Sequence, residues 1–332
     1  MLSLKIRDAV SSETVNTDDE ENRVRSWIFL FLCNLMWALQ FTCVKLVQAQ
    51  VGPLFTVWGP MTLATIMLYP LLRWEQESGA GPKRRSDIIL FLTLALVAVF
   101  PAQVFITLGT RLSTASNAAI IVLAVPVFTA VFAYFFLGER MTAIRWLCFV
   151  IAITGVLLCS QTNLRSVNFR SNYLVGNLLV AAGTLGSAIY NSYGKKVLRR
   201  YSPLEMLFCT YLGMLVIMTP LVLSKEPEVF RRIPEFTKST WAGLMLLTLF
   251  HYYLSMVLFL KALRKLDATQ AALSNYLIPL FGVPIAAITL GERLNTASLV
   301  GGALVLASTL LVTLWPGKHR GRSAVTSADT RA

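Results

Sequence analysis

Charge is what this sequence lacks. Asp, Glu, Lys and Arg make up only 14% of its 332 residues, against about a quarter in an ordinary soluble domain. A chain of this length folded in water needs more charge than that to cover its surface, which excludes a soluble globular fold. The charges present stand in short clusters with long uncharged stretches between them, the pattern expected where lipid surrounds most of the fold. Cysteine occurs five times and histidine twice. Cys33, Cys43, Cys148, Cys159 and Cys209 lie in apolar runs or at their ends, and none forms a Cys-x-x-Cys pair. They read as small packing residues, and no metal site is expected. There is no HExxH, no nucleophile elbow and no P-loop, and no Asp or Glu lies deep in an apolar run. These absences argue against a membrane-embedded enzyme, an ATP-driven pump or a bound cofactor.

The net charge is +13. Its basic residues flank apolar runs, where they meet anionic head groups and set topology. No basic patch interleaved with aromatics occurs outside those runs, so the expected partner is the lipid bilayer and not nucleic acid.

Against these absences stand ten apolar runs, each near the length that spans a bilayer, about 20 residues. They cover roughly 27–47, 54–72, 88–109, 115–137, 144–160, 173–194, 204–223, 241–261, 268–290 and 297–315. The fold class expected is all-α: a polytopic membrane protein of ten transmembrane helices. The polar ends, 1–25 and 316–332, read as disordered tails. Lys and Arg in the connections are biased toward the side that holds both termini, which predicts cytoplasmic termini, with the plasma (inner) membrane as the expected location. One connection conflicts with this orientation. Residues 224–240 carry Lys225, Arg231, Arg232 and Lys238 on the opposite side, partly offset by Glu226, Glu228 and Glu235.

The most informative feature is an internal repeat. Leu137-Gly138-Glu139-Arg140 recurs as Leu290-Gly291-Glu292-Arg293, an offset of 153 that also maps Pro126 onto Pro279 and Arg111 onto Arg264. Earlier in each half the offset is 150, mapping Lys45 onto Lys195, Pro53-Leu54 onto Pro203-Leu204 and Pro70 onto Pro220. A three-residue change is one short loop insertion. Residues 26–162 and 173–315 are thus two related units of five spans. Five is odd, so the second unit must enter the membrane from the opposite side. Such inverted repeats are a device of secondary transporters, with the substrate held between the halves near the midplane.

The two copies of a proline followed by Leu-Gly-Glu-Arg resemble the drug/metabolite transporter superfamily, and within it the EamA-type exporters. The stretches before them, from Arg111 to Ala119 and from Arg264 to Ala272, are similar to that family as well. The resemblance implies a ten-helix fold with a central cavity surrounded by helices 1–4 and 6–9, with helices 5 and 10 at the periphery. It implies a small-molecule substrate, usually moved outward and often by proton coupling or exchange. Members carry amino acids, other metabolites, drugs, nucleotide sugars or phosphorylated sugars, so the family leaves the substrate open.

Polar side chains inside spans are costly unless they face a wet cavity or another helix. The candidates for a cavity are Asn34, Trp37, Gln40, Phe41, Gln103, Asn117, Tyr190, Asn191, His251, Tyr252 and Asn275. For each, the competing reading is a hydrogen bond tying two helices. His251 is the only histidine within a span and the candidate for proton coupling, the alternative being a neutral, hydrogen-bonded core residue. Pro126 and Pro279 are candidate helix kinks. Lys45 and Lys195 are candidate anion-binding residues, or else simply snorkel to the interface. Gly138 and Gly291 are placed to end helices, and Glu139 and Glu292 to bond neighbouring backbone groups or basic side chains at the interface, a structural role whose alternative is contact with the substrate. The run Gly301-Gly302-Ala303 permits close helix contact, including a homodimer. The expected function is secondary active export of a small metabolite such as an amino acid by alternating access. An organic-anion or nucleotide-sugar exchanger, for which Lys45 and Lys195 would face the cavity, is the alternative; an enzyme or passive channel is remote.

Overall fold

The computed structural model describes residues 2–77, 86–137, 142–159, 172–266, 271 and 274–314. Among these residues, seven helices are long and apolar enough to cross a membrane, and three shorter apolar helices accompany them. They coincide with the ten apolar runs. We number them α1 (Leu2–Val47), α2 (Pro53–Glu77), α3 (Ser86–Leu94 with its continuation Ile106–Leu112), α4 (Ala115–Ile121 with Val125–Leu137), α5 (Ala143–Cys159), α6 (Asn172–Val197), α7 (Pro203–Lys225), α8 (Lys238–Leu246 with Ser255–Lys265), α9 (Leu277–Leu290) and α10 (Thr296–Leu314). The described residues contain no strand.

One expectation from composition differs. The polar segment 2–25, read as a tail, is helical and continuous with α1. Extending an existing helix fixes one residue per hydrogen bond and avoids the cost of nucleation, so the apolar part from Val24 onward can carry a polar extension. The tail 316–332 and the first Gly-Glu-Arg copy, residues 138–140, lie outside the described residues.

Local signals set the helix ends. Ser202 caps α7: its hydroxyl accepts from the Glu205 N–H at 3.1 Å, while the Glu205 carboxylate accepts from the Ser202 N–H at 3.2 Å, a capping box followed by Pro203 in the first turn. Thr114 does the same for α4, accepting from Asn117 N–H at 3.1 Å. Gly291 ends α9 in the left-handed conformation, with φ +67 and its N–H on the Ala287 carbonyl at 3.1 Å. That backbone disfavours any side chain by about 1–2 kcal/mol. Gly291→Ala should therefore lower stability by about that amount, read as an earlier thermal transition of the purified protein in detergent.

Pairs of contacts between the halves establish the inversion. Glu226, which closes α7, accepts from the Leu54 and Phe55 N–H groups at the start of α2, at 2.9 and 2.8 Å. Glu75, near the end of α2, accepts from the hydroxyl of Ser202 at the start of α7, at 2.7 Å. Two neighbouring helices that each end at the other's beginning run in opposite directions. Glu292, just past α9, likewise receives the Ala115 and Ser116 N–H groups at the start of α4, at 2.9 and 2.8 Å. Each carboxylate meets the positive end of a helix dipole from the other half. Helices α5 and α10 pack on each other closely, since a Cβ on Gly155 would come within 2.7 Å of the Gly301 carbonyl oxygen. The outer surface is apolar, with Ile288 87%, Trp74 74% and Ile89 70% exposed. In water these would cost free energy; against lipid they do not.

Candidate binding cavity

Where the halves meet, a cavity of about 80 Å³ is lined by α1 (Trp37, Gln40, Phe41), α3 (Val99, Ala102, Gln103, Ile106), α4 (Val122, Val125), α6 (Ser187, Tyr190, Asn191), α7 (Tyr211), α8 (His251, Met256, Phe259) and α9 with its preceding turn (Asn275, Ile278). Most of these residues are related in pairs by the repeat. Trp37 and Ser187, Gln40 and Tyr190, and Phe41 and Asn191 stand 150 apart; Gln103 and Met256, Ile106 and Phe259, Val122 and Asn275, and Val125 and Ile278 stand 153 apart. The cavity therefore sits on the pseudo-two-fold axis. Within the pairs the chemistry has diverged. The second half supplies Ser187, Tyr190, Asn191, Tyr211, His251 and Asn275, while the first half supplies mostly apolar and aromatic surface around Gln40 and Gln103.

The helices that form the walls are irregular there. π-Helical turns cover Pro101–Phe105 in α3 and Leu247–Leu254 in α8, a form that recurs at functional sites. They bring Gln103 and His251 together: His251 Nε2 lies 3.0 Å from Gln103 Oε1. With that oxygen as acceptor, Nε2 carries the hydrogen and Nδ1 is left as an acceptor. Short 3₁₀ segments, Val122–Ala124 in α4 and Ser274–Tyr276 before α9, lie next to Pro126 and Pro279. Each proline removes a backbone donor where its helix changes form, and each broken turn contributes a wall residue, Val122 or Asn275.

Four buried polar atoms on residues that line the cavity have no hydrogen-bond partner among the described residues: Trp37 Nε1, the Tyr190 hydroxyl, His251 Nδ1 and Asn275 Oδ1. An unpaired buried polar group costs about 1–3 kcal/mol. Unpaired polar groups on several residues that line one space mark it as a place for polar groups of another molecule. No Asp, Glu, Lys or Arg lines the cavity among the described residues.

The other residues singled out from sequence lie elsewhere. Asn34 donates to the Leu30 carbonyl at 2.6 Å and to Ser274 Oγ at 2.8 Å, tying α1 to the turn before α9. Asn117 donates to the Tyr173 hydroxyl at 2.7 Å, tying α4 to α6. Tyr252 is buried and its carbonyl accepts from the Tyr211 hydroxyl at 2.7 Å. Lys45 and Lys195 occupy matching positions. Lys45 Nζ donates to the Arg111 carbonyl at 3.1 Å; Lys195 Nζ donates to the Leu263 and Arg264 carbonyls at 2.7 and 3.3 Å. Each ammonium caps the C-terminal end of the third helix of its half, away from the cavity. Ser187, Tyr211, Met256 and Phe259 were not foreseen. Two of them follow from the repeat: applying its offsets to the candidates Trp37 and Gln103 gives Ser187 and Met256, whereas Phe259 pairs with Ile106, an apolar residue that the sequence does not single out. Tyr211 has no such signal, because its mate is Met61.

A helical membrane protein of two inverted halves, enclosing a cavity on their common axis, belongs to the transporter class and not among enzymes. The chain belongs to the EamA-like transporter family, whose sequence model matches it twice, over residues 25–161 and 174–314. It is 24% identical over 304 residues to an uncharacterized transporter of Archaeoglobus fulgidus, covering 87% of this chain and 99% of the relative. It is also 24% identical to a probable terminal-alkyne amino-acid exporter of Streptantibioticus cattleyicolor, covering 85% of this chain and 91% of the relative. A solved crystal structure with 16% identity superposes with a TM-score of 0.61 over 88% of this chain and 97% of its own, a likeness of fold. The protein is thus an integral membrane transporter of a small molecule.

Proposed function

We propose that this transporter exports a small zwitterionic metabolite with an apolar side chain, an amino acid of that kind, by alternating access of its two halves. The reading rests on one observation: an uncharged cavity on the two-fold axis with unpaired polar atoms of both kinds, a donor at Trp37 and acceptors at His251 and Asn275. Amide, hydroxyl, indole and imidazole groups suit the paired opposite charges of a zwitterion better than a net anion. Polar walls from the second half facing apolar walls from the first suit a polar head with an apolar side chain. The commitment of Lys45 and Lys195 to helix-end carbonyls counts against the organic-anion alternative. The name of the Streptantibioticus relative agrees with the amino-acid reading. A cavity of about 80 Å³ holds a few waters, so loading requires the walls to separate, as alternating access does.

The test is transport by purified protein in proteoliposomes, in both directions, with and without a pH gradient. The panel is leucine, phenylalanine, a dicarboxylate and a nucleotide sugar. Leucine or phenylalanine should move and the two anions should not; movement of the anions alone overturns the reading. His251 is the proposed site of proton coupling. His251→Gln should abolish stimulation by the pH gradient while leaving downhill exchange, and unchanged stimulation removes it from that role.

A further inference from the structure

A second cavity lies outside the transport path. It is a groove of about 320 Å³ formed by the first turns of α2 and α8 and the connection between α7 and α8. Phe55, Trp58, Leu63, Phe230, Ile233 and Trp241 are among its walls. Phe55, Trp58 and Phe230 form a cluster of tilted and edge-on rings at 5.6 Å, and Leu63, Trp241 and Met245 are exposed at its mouth. Because α2 and α8 both span the membrane, the groove opens sideways, at the depth where acyl chains meet head groups. The repeat does not reproduce it. At the matching place Gly213 of α7 lies against α3, where a Cβ would meet that of Ala95 at 3.1 Å, and Phe91 packs edge-on to Tyr201 at 5.1 Å. An exchange of the two halves therefore does not explain it.

The same connection carries the basic residues that conflict with the charge bias of the other loops. Lys225, Arg231, Arg232 and Lys238 are all exposed. Glu226 is engaged by the start of α2, and Glu228 lies 3.9 Å from Arg231. Arg232 and Lys238 have no carboxylate partner among the described residues. Arg231 and Arg232 sit between the groove residues Phe230 and Ile233, and Lys238 is one helical turn before Trp241. Apolar groove and positive rim thus form one surface.

We propose that this surface holds a single anionic phospholipid, with an acyl chain in the groove and its phosphate at Arg231, Arg232 and Lys238. The rim supplies charge complementarity, and the groove supplies a continuous path to the bilayer interior. It also accounts for cations on a side where topology alone disfavours them: they hold a head group in place and do not set orientation.

The test is native mass spectrometry of the full-length protein in mild detergent, supplied with phosphatidylglycerol or with phosphatidylcholine of the same chain length. One phosphatidylglycerol should stay bound. Its retention should fall about fivefold or more in the triple variant R231Q/R232Q/K238Q, since each cation near an anionic head group contributes on that scale, and likewise in a Thr62→Trp variant, because Thr62 is a further wall residue and the indole fills the groove. Leu63→Phe replaces Thr62→Trp if the latter has no cooperative thermal transition. Equal retention by the parent and by both kinds of variant overturns the proposal. So does retention of phosphatidylcholine as strong as that of phosphatidylglycerol. A dimer that disappears in the groove-filling variant also overturns it, because the occupant is then a second copy of the chain.

Discussion

Glu292→Ala is expected to destabilise the protein by about 3 kcal/mol. Its carboxylate accepts from the Ala115 N–H at 2.9 Å, the Ser116 N–H at 2.8 Å and the Ser116 hydroxyl at 2.8 Å. The two amides belong to the first turn of α4 and have no partner within that helix. Hydrogen bonds to a charged acceptor are worth about 1.5–3 kcal/mol each, and removing the acceptor leaves the donors unpaired. Ser116 is itself buried, so water is a poor replacement. Set against a total stability of about 5–15 kcal/mol, the loss should appear as a much lower thermal transition and reduced yield. Glu292→Gln keeps an acceptor but loses the charge, and should fall between. A melting temperature of the alanine variant equal to that of the parent would show that this cap contributes nothing.

Much of this architecture is legible in the sequence, and for definite reasons. Bilayer thickness fixes the length of an apolar run, so the spans are found to within a few residues. Gly291 and Glu292 are recognisable because a left-handed glycine and a carboxylate beside helix ends are chemical requirements of a terminus. Other features have no one-dimensional signature. Asn34 and Asn275 look alike in the sequence, each a lone amide in an apolar run. Asn34 donates to a carbonyl of its own helix and to the Ser274 hydroxyl, away from the cavity, whereas Asn275 lines the cavity; the side-chain oxygen of each has no partner among the described residues. A polar residue within a span gives the same signal for both uses. The lysines are a similar case. Their match across the repeat is visible, but whether an ammonium group faces a ligand or a carbonyl depends on where the third helix of each half ends. The π-turns that bring Gln103 to His251 likewise depend on packing between helices and not on local composition.

Ser187→Phe should reduce transport to the level of empty vesicles while leaving the fold intact. Ser187 lies on the cavity wall one turn before Tyr190 and Asn191, and its repeat mate is Trp37. Its hydroxyl bonds only the Gly183 carbonyl of its own helix, at 3.3 Å, so removing it leaves no cross-helix group unpaired. A phenyl ring there has a cavity of about 80 Å³ to enter, which limits the strain that overpacking a filled core would bring, about 1–3 kcal/mol. What it removes is the space through which a substrate must pass in either state of the cycle. The thermal transition should therefore stay close to that of the parent. Ser187→Ala, which changes the hydroxyl and not the volume, should retain most of the transport. If Ser187→Phe moves substrate at the parental rate, this cavity is not on the path and the symmetry of its walls reflects ancestry alone. If instead both variants lose transport equally, the hydroxyl contacts the substrate, which places the polar head of the molecule against α6.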